Sequence, residues 1–130
     1  MKIELDKIHS SYNRIDSYTA DSIIINGKPY TSSLIISPKQ LILDWEPESF
    51  SSLATQHFDR ITALEPEIII LGTGHQIHFP DEQIIAQILE LNIGLETMDT
   101  GAACRCYNLL ISEGRNVVAA LLPINTRVKT

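Results

Sequence analysis

The chain has 130 residues, of which 44% are hydrophobic and 20% charged, and its formal net charge is −6. This is ordinary composition for one globular domain and excludes disordered, collagen-like and low-complexity chains. Residues 1–104 carry 15 acidic and 6 basic groups, whereas residues 105–130 carry Glu113 against Arg105, Arg115, Arg127 and Lys129. An acidic body with a few scattered late cations lacks the basic stripe that neutralises phosphates, so nucleic acid is not an expected partner.

Cys104 and Cys106 are one residue apart. On a helix they point ~200° apart, too far to share a metal or close a disulfide. A reducing, cytoplasmic setting is expected. Met1-Lys2-Ile3-Glu4-Leu5-Asp6-Lys7 alternates charged and apolar residues and has no signal-peptide core. No apolar run nears the ~20 residues that cross a bilayer. Residues 1–130 form one domain, with a loose lead-in over 1–14 and a loose tail over 125–130.

In chain order, Ile23-Ile24-Ile25 predicts a strand and Asn26-Gly27 a tight hairpin turn, because both turn positions tolerate positive φ. The return strand runs from Tyr30 through Ile36, and Ser37-Pro38 breaks it. Gln40 through Trp45 predicts a further strand. Pro47-Glu48-Ser49 opens a helix whose apolar positions are Phe50, Leu53, Ala54, Phe58, Ile61 and Leu64. Ile68-Ile69-Ile70-Leu71 has the unbroken apolar character of a strand covered on both faces. Asp81 caps a helix with Ile84, Ile85, Ile88 and Leu89 inward, and Leu95 through Met98 is a short strand. Thr100 caps a third helix whose inward face is Ala103, Cys106, Tyr107, Leu110 and Ile111. Gly114 stops it. Val117 through Leu122 is the last strand. Strand–helix alternation in the second half predicts a parallel or mixed sheet with helices packed on it.

Parallel strands at 68–71 and 95–98 would bring Gly72-Thr73-Gly74 and Asp99-Thr100-Gly101 to one rim, where open α/β sheets bind ligands. The glycines fall short of a dinucleotide fingerprint, because position 77 is Ile77, and no P-loop ending follows. They permit either a tight turn or a backbone cradle for a small anion. His75, His78 and Asp81 are spaced three apart in a loop containing Pro80, a weak metal pattern without a further ligand. Arg105 and Asn108 lie on the polar face of the third helix, and Asp99 with Arg105 would either bind a ligand or brace the loop. Trp45 and Phe79 are candidate interface anchors if exposed.

The run from Glu96 to Leu110, with Glu113-Gly114-Arg115 and Ala119-Ala120-Leu121-Leu122-Pro123, resembles the domain of unknown function 498 family. So do the Asn26-Gly27 hairpin and the Gly72-Thr73-Gly74 loop, so the likeness covers roughly residues 15–124. The family includes a mitochondrial complex I assembly factor and an adipogenesis-associated cytosolic protein. One departure is Cys106, where members commonly carry Thr.

The resemblance implies a three-layer α/β fold: a central mixed sheet, helices on one face and an added β-hairpin layer on the other. It implies no settled enzyme activity, cofactor or catalytic residue, and the residue spacings give no metal site. The expected function is a non-enzymatic accessory or assembly factor that binds other proteins, with peripheral contact to membrane-complex components and homo-oligomerisation left open. The alternative is a small-molecule or anion-binding protein, with enzymatic activity left open. Its site would be the rim built from Gly72, Thr73, Gly74, Asp99, Thr100, Arg105 and Asn108.

Overall fold

Ile68-Ile69-Ile70-Leu71 carries no polar residue because the strand it forms, Ile68–Gly72, lies inside a five-stranded sheet with side chains buried on both faces. The computed structural model describes residues 12–124. In chain order the strands are β1 (Ile15–Tyr18), β2 (Ile23–Ile25), β3 (Lys28–Tyr30), β4 (Leu34–Ile36), β5 (Leu41–Ile42), β6 (Ile68–Gly72), β7 (Gly94–Met98) and β8 (Val117–Leu121). The α-helices are α1 (Asp59–Thr62), α2 (Glu82–Leu89) and α3 (Thr100–Ser112). The five-stranded sheet runs β5-β4-β8-β6-β7 and a second sheet runs β1-β2-β3. The strands β8, β6 and β7 are parallel, and β4 and β5 add antiparallel at one side.

Two cores follow from the two-residue period of the strands. Leu34, Ile36, Ile70, Val117, Ala119 and Leu121 face β1, β2 and α3. Ile35, Ile69, Leu71, Val118, Ala120 and Leu122 face Trp45, α1 and α2. The α/β class, the mixed central sheet and the added β layer are as expected. The helices divide between faces: α1 and α2 cover one, and α3 shares the other with the small sheet. The connection from β6 to β7 steps one way across the sheet, and the return from β7 to β8 passes back over β6. Crossovers of constant hand that travel in opposite directions put their helices on opposite faces.

The hairpin turn has the expected backbone, with φ of 53° at Asn26 and 80° at Gly27. The return strand is shorter than expected. It ends at Tyr30, and Leu34-Ile35-Ile36 instead enters the central sheet. All three of those residues are fully buried, which a strand with one covered face could not achieve. β5 likewise keeps only Leu41–Ile42 of the strand expected over 40–45. Just after the lead-in, β1 is a strand the sequence did not announce, because its register shift between Ile15 and Ser17 breaks its alternation. Asn13 is also held, its N–H donating to Pro38 O at 2.8 Å. The rest of the expected loose lead-in, residues 1–11, and the tail 125–130 lie outside the described residues.

The helix expected from Pro47 onward is replaced by two 3-10 turns, Phe50–Ser52 and Thr55–Phe58, and the single turn of α1. Side chains compete there for the helical backbone. Ser52 Oγ accepts from Glu48 N and Ser49 N at 3.2 and 3.3 Å, and His57 Nδ1 accepts from Ala54 N at 2.9 Å. The apolar spacing still serves packing, since Phe58 and Ile61 are fully buried. Trp45 is core rather than anchor: it is 5% exposed, donates from Nε1 to His57 O at 2.8 Å, and stands edge-on to Phe58.

Candidate functional site

The carboxyl ends of β6 and β7 bring Gly72, Thr73, Gly74, Asp99 and Thr100 to one rim, as the parallel arrangement requires. The loop after β6 leads to α2 on one face and the loop after β7 leads to α3 on the other, which is where α/β sheets open a crevice. Here hydrogen bonds close it. Thr73 N donates to Met98 O and Thr100 N to Gly74 O, both at 2.9 Å. Gly74 N donates to Thr100 Oγ1 at 2.8 Å, and that hydroxyl donates to Leu122 O at 2.7 Å. Thr100, fully buried, thus ties the β6 loop, the start of α3 and the end of β8 together.

Gly72 permits this closeness: a Cβ there would lie 3.0 Å from Thr100 Cα and 3.0 Å from Leu121 Cδ2. Gly74 takes a φ of 104°, a conformation that favours glycine. The cap of α3 is Asp99, not Thr100. Its Oδ1 accepts from Ala102 N at 2.9 Å, and Thr100 is the first helical residue. Asp81, expected as a side-chain cap, occupies the position before α2 without such a bond.

Arg105 and Asn108 face the small sheet. Arg105 Nη1 donates to Tyr18 Oη, and its guanidinium lies 6.0 Å from the Tyr18 ring centre. Asn108 Oδ1 accepts from Ile15 N at 3.0 Å and its Nδ2 donates to Ile15 O at 2.7 Å, so the amide pairs with β1 as a neighbouring strand would. Tyr107 Oη donates to Asn13 O at 2.8 Å. Gly101 completes this seam, since a Cβ would meet Tyr18 Cε1 at 3.0 Å. The partners Tyr18, Ile15 and Asn13 were missed in the sequence, because nothing local marks a strand about 90 residues away as the cover of α3.

The rim loop itself stands outward. Thr73 Oγ1 donates to Gln76 O at 2.6 Å and accepts from His78 N at 3.1 Å, which fixes the loop base. Residues 75–79 are all exposed, with Ile77 at 47% and Phe79 at 72%. His78 stacks on Phe50 with ring centres 5.0 Å apart. Asp81 and Glu82, also exposed, follow after the buried Pro80.

Among the described residues no three His, Cys, Asp or Glu side chains group as a metal site needs. Burial pushes the Cys104 thiol up to about 12, and burial also raises that of Cys106, so neither has the lowered pKa of an activated thiol. No helix of the described residues is long and apolar enough to cross a membrane.

The chain is similar to known proteins over most of its length. It is 35% identical to the 13 kDa major membrane protein of Francisella tularensis over 107 residues, 81% of this chain and 86% of that protein. It is 30% identical over 121 residues to NADH dehydrogenase [ubiquinone] 1 alpha subcomplex assembly factor 3 of Xenopus tropicalis. That match covers 92% of this chain and spans 66% of the longer assembly factor. The crystal structure of a Bordetella parapertussis protein superposes with a TM-score of 0.83 at 30% identity, over 87% of this chain and 97% of that one. The family model described as protein of unknown function (DUF498/DUF598) matches residues 15–122, and the chain belongs to that family.

Proposed function

We propose that the chain is a non-enzymatic accessory protein that binds other proteins, membrane-complex components among them, through the loop 75–79. The observation that carries this reading is the contrast within the rim. Its inner polar groups are hydrogen-bonded to one another, while Phe79 stands 72% exposed on a loop whose base is held by Thr73. An aromatic side chain presented from a fixed base loses little freedom on binding, which suits an interface anchor. Asp81 and Glu82 beside it favour an apolar socket with a basic edge.

The names of two relatives support the same reading, one being a complex I assembly factor and the other a membrane protein. The rim residues act here as the scaffold of the loop, and Arg105 and Asn108 hold the small sheet. The cytoplasmic setting expected from the sequence is kept as part of this proposal.

The test is a pull-down from detergent-solubilised membranes of the source cells, comparing the natural chain with Phe79→Ser and Ile77→Ser. A membrane-complex subunit retained by the natural chain, competed by untagged protein and lost from the Phe79→Ser chain, is the expected result. Retention of the same subunit by both variants would remove the loop from the interface.

A further inference from the structure

The opposite end of the sheet carries a cleft that the proposed protein-binding role does not use. A cavity of about 350 Å³ lies where the last turn of α3, the turn between β4 and β5 and the start of β8 meet. It shares Tyr12 and Ile111 with an adjoining hollow of about 160 Å³. The larger cavity falls within the range of small-molecule sites, which pair an apolar lining with a few placed polar groups. Its floor has that character: Ile111 belongs to one core, Val118 to the other, and Leu64 packs on the second. The cavity therefore opens across the end of the sheet where the two cores come together. It lies about 16 Å from the glycine rim, the length of a five-residue strand.

The charge around it is the reverse of the rest of the protein. Six of the ten Lys and Arg side chains fall among the described residues, and three of those six line the two hollows: Arg14, Lys39 and Arg115. No Asp or Glu among the described residues lines either one. Glu67, bonded to the cavity wall, is already engaged, its Oε1 accepting from Arg115 Nε and from Asn116 N at 2.9 Å each. That bond holds Arg115 at the cavity wall through one nitrogen only. In a chain of net charge −6 this is a local cationic mouth above an apolar floor.

We propose that this cleft binds a small amphipathic anion. The apolar body rests over Leu64, Ile111 and Val118, and the carboxylate or phosphate head is drawn to Lys39 and Arg115. Burial of a short chain or ring on the floor supplies affinity, and the cations select the sign of the head group.

The experiment titrates 15N-labelled full-length protein with octanoate, octyl phosphate, octylammonium and 1-octanol, following amide resonances. Octanoate or octyl phosphate is expected to shift the amides of Gln40, Gly114 and Asn116 saturably, and whichever binds more tightly identifies the head group. The amine and the alcohol are expected to bind at least tenfold more weakly. Lys39→Glu combined with Arg14→Glu changes two exposed side chains, so the dispersed spectrum persists while anion affinity falls tenfold or more. Equal binding of all four amphiphiles would overturn the proposal. So would saturable shifts confined to other surfaces, undiminished anion binding by the double variant, or no saturable shift with either anion. None of these outcomes bears on the Phe79 interface, which lies at the other end of the sheet.

Discussion

Gly72 and Thr100 are packed so closely that a single methyl group does not fit between them. A Cβ on Gly72 would stand 3.0 Å from the Thr100 Cα and equally close to its Oγ1. The glycine at the rim is therefore explained by the approach of α3 to β6, before any ligand is considered. Gly72→Ala is expected to destabilise the protein by about 1–3 kcal/mol, the range for overpacking a well-filled core. A lowered urea midpoint with unchanged slope is the reading expected, and an unchanged midpoint would show that α3 can shift freely.

Thr100 gives a second, chemically separate test of the same closure. Its hydroxyl accepts from Gly74 N and donates to Leu122 O, so Thr100→Val strands two buried backbone groups while keeping the volume. A loss of about 2–4 kcal/mol is expected from two such groups. Thr100→Ser keeps both bonds and should lie much nearer the natural protein. Equal losses for Val and Ser would assign the effect to packing.

Asn108 holds β1 by two hydrogen bonds to Ile15, one in each direction. Asn108→Asp replaces the donor that faces Ile15 O with a second acceptor. Hydrogen exchange is expected to quicken at Ile15 and Ile25 by roughly tenfold or more, for a local loss of about 1–3 kcal/mol, while β6 and β8 keep their protection. Uniform loss of protection across both sheets would mean that the small sheet does not open separately.

Cys104 couples stability to alkaline pH. Its thiol is raised from 9.0 in the open chain to about 12 in the fold, chiefly by burial. The folded state then holds its proton between those values while the unfolded state has lost it. The Cys104 contribution to stability is full below pH 9 and declines as pH rises from 9 toward 12. Cys104→Ala should flatten this decline in a urea series. At pH 8 iodoacetamide should modify Cys106 first, because Cys104 is 1% exposed and awaits opening of the core.

Glu67 makes the opposite acid-side prediction. Hydrogen bonds from Asn116 N and Arg115 hold its carboxyl below the usual 4.5. A group lowered in the fold stabilises above its open-chain value and loses that contribution as pH falls through the folded one. The cleft wall at Arg115 and Asn116 should therefore loosen below pH 4.5, seen as quickened exchange at Asn116, and Glu67→Gln should remove that pH dependence.

Local chemistry was legible wherever a segment's structure depends on its own residues. Asn26-Gly27 forms its turn because both residues accept positive φ, and Gly114 ends α3 at a φ of 77° for the same reason. Burial on both faces was legible in the runs at 68–71 and 117–121. The stretch 47–64 misled because its apolar spacing is helical, while Ser52 and His57 bind the backbone that a helix would have used. Thr100 and Asp99 exchanged roles because either residue can cap a helix, and only the buried carbonyl of Leu122 gives the Thr100 hydroxyl a better partner.

The sequence by itself determined the α/β class, the hairpin, the two central strands, and which glycines meet at one rim, since these follow from local backbone preference and apolar period. Only the tertiary structure decided which polar groups at that rim remain open. Asn108 and Arg105 have the same chemistry whether they face a ligand or β1, and the choice was made by a strand about 90 residues distant. The cationic cleft was equally illegible, because Arg14, Lys39 and Arg115 are scattered along the chain and converge only when the end of the sheet is built.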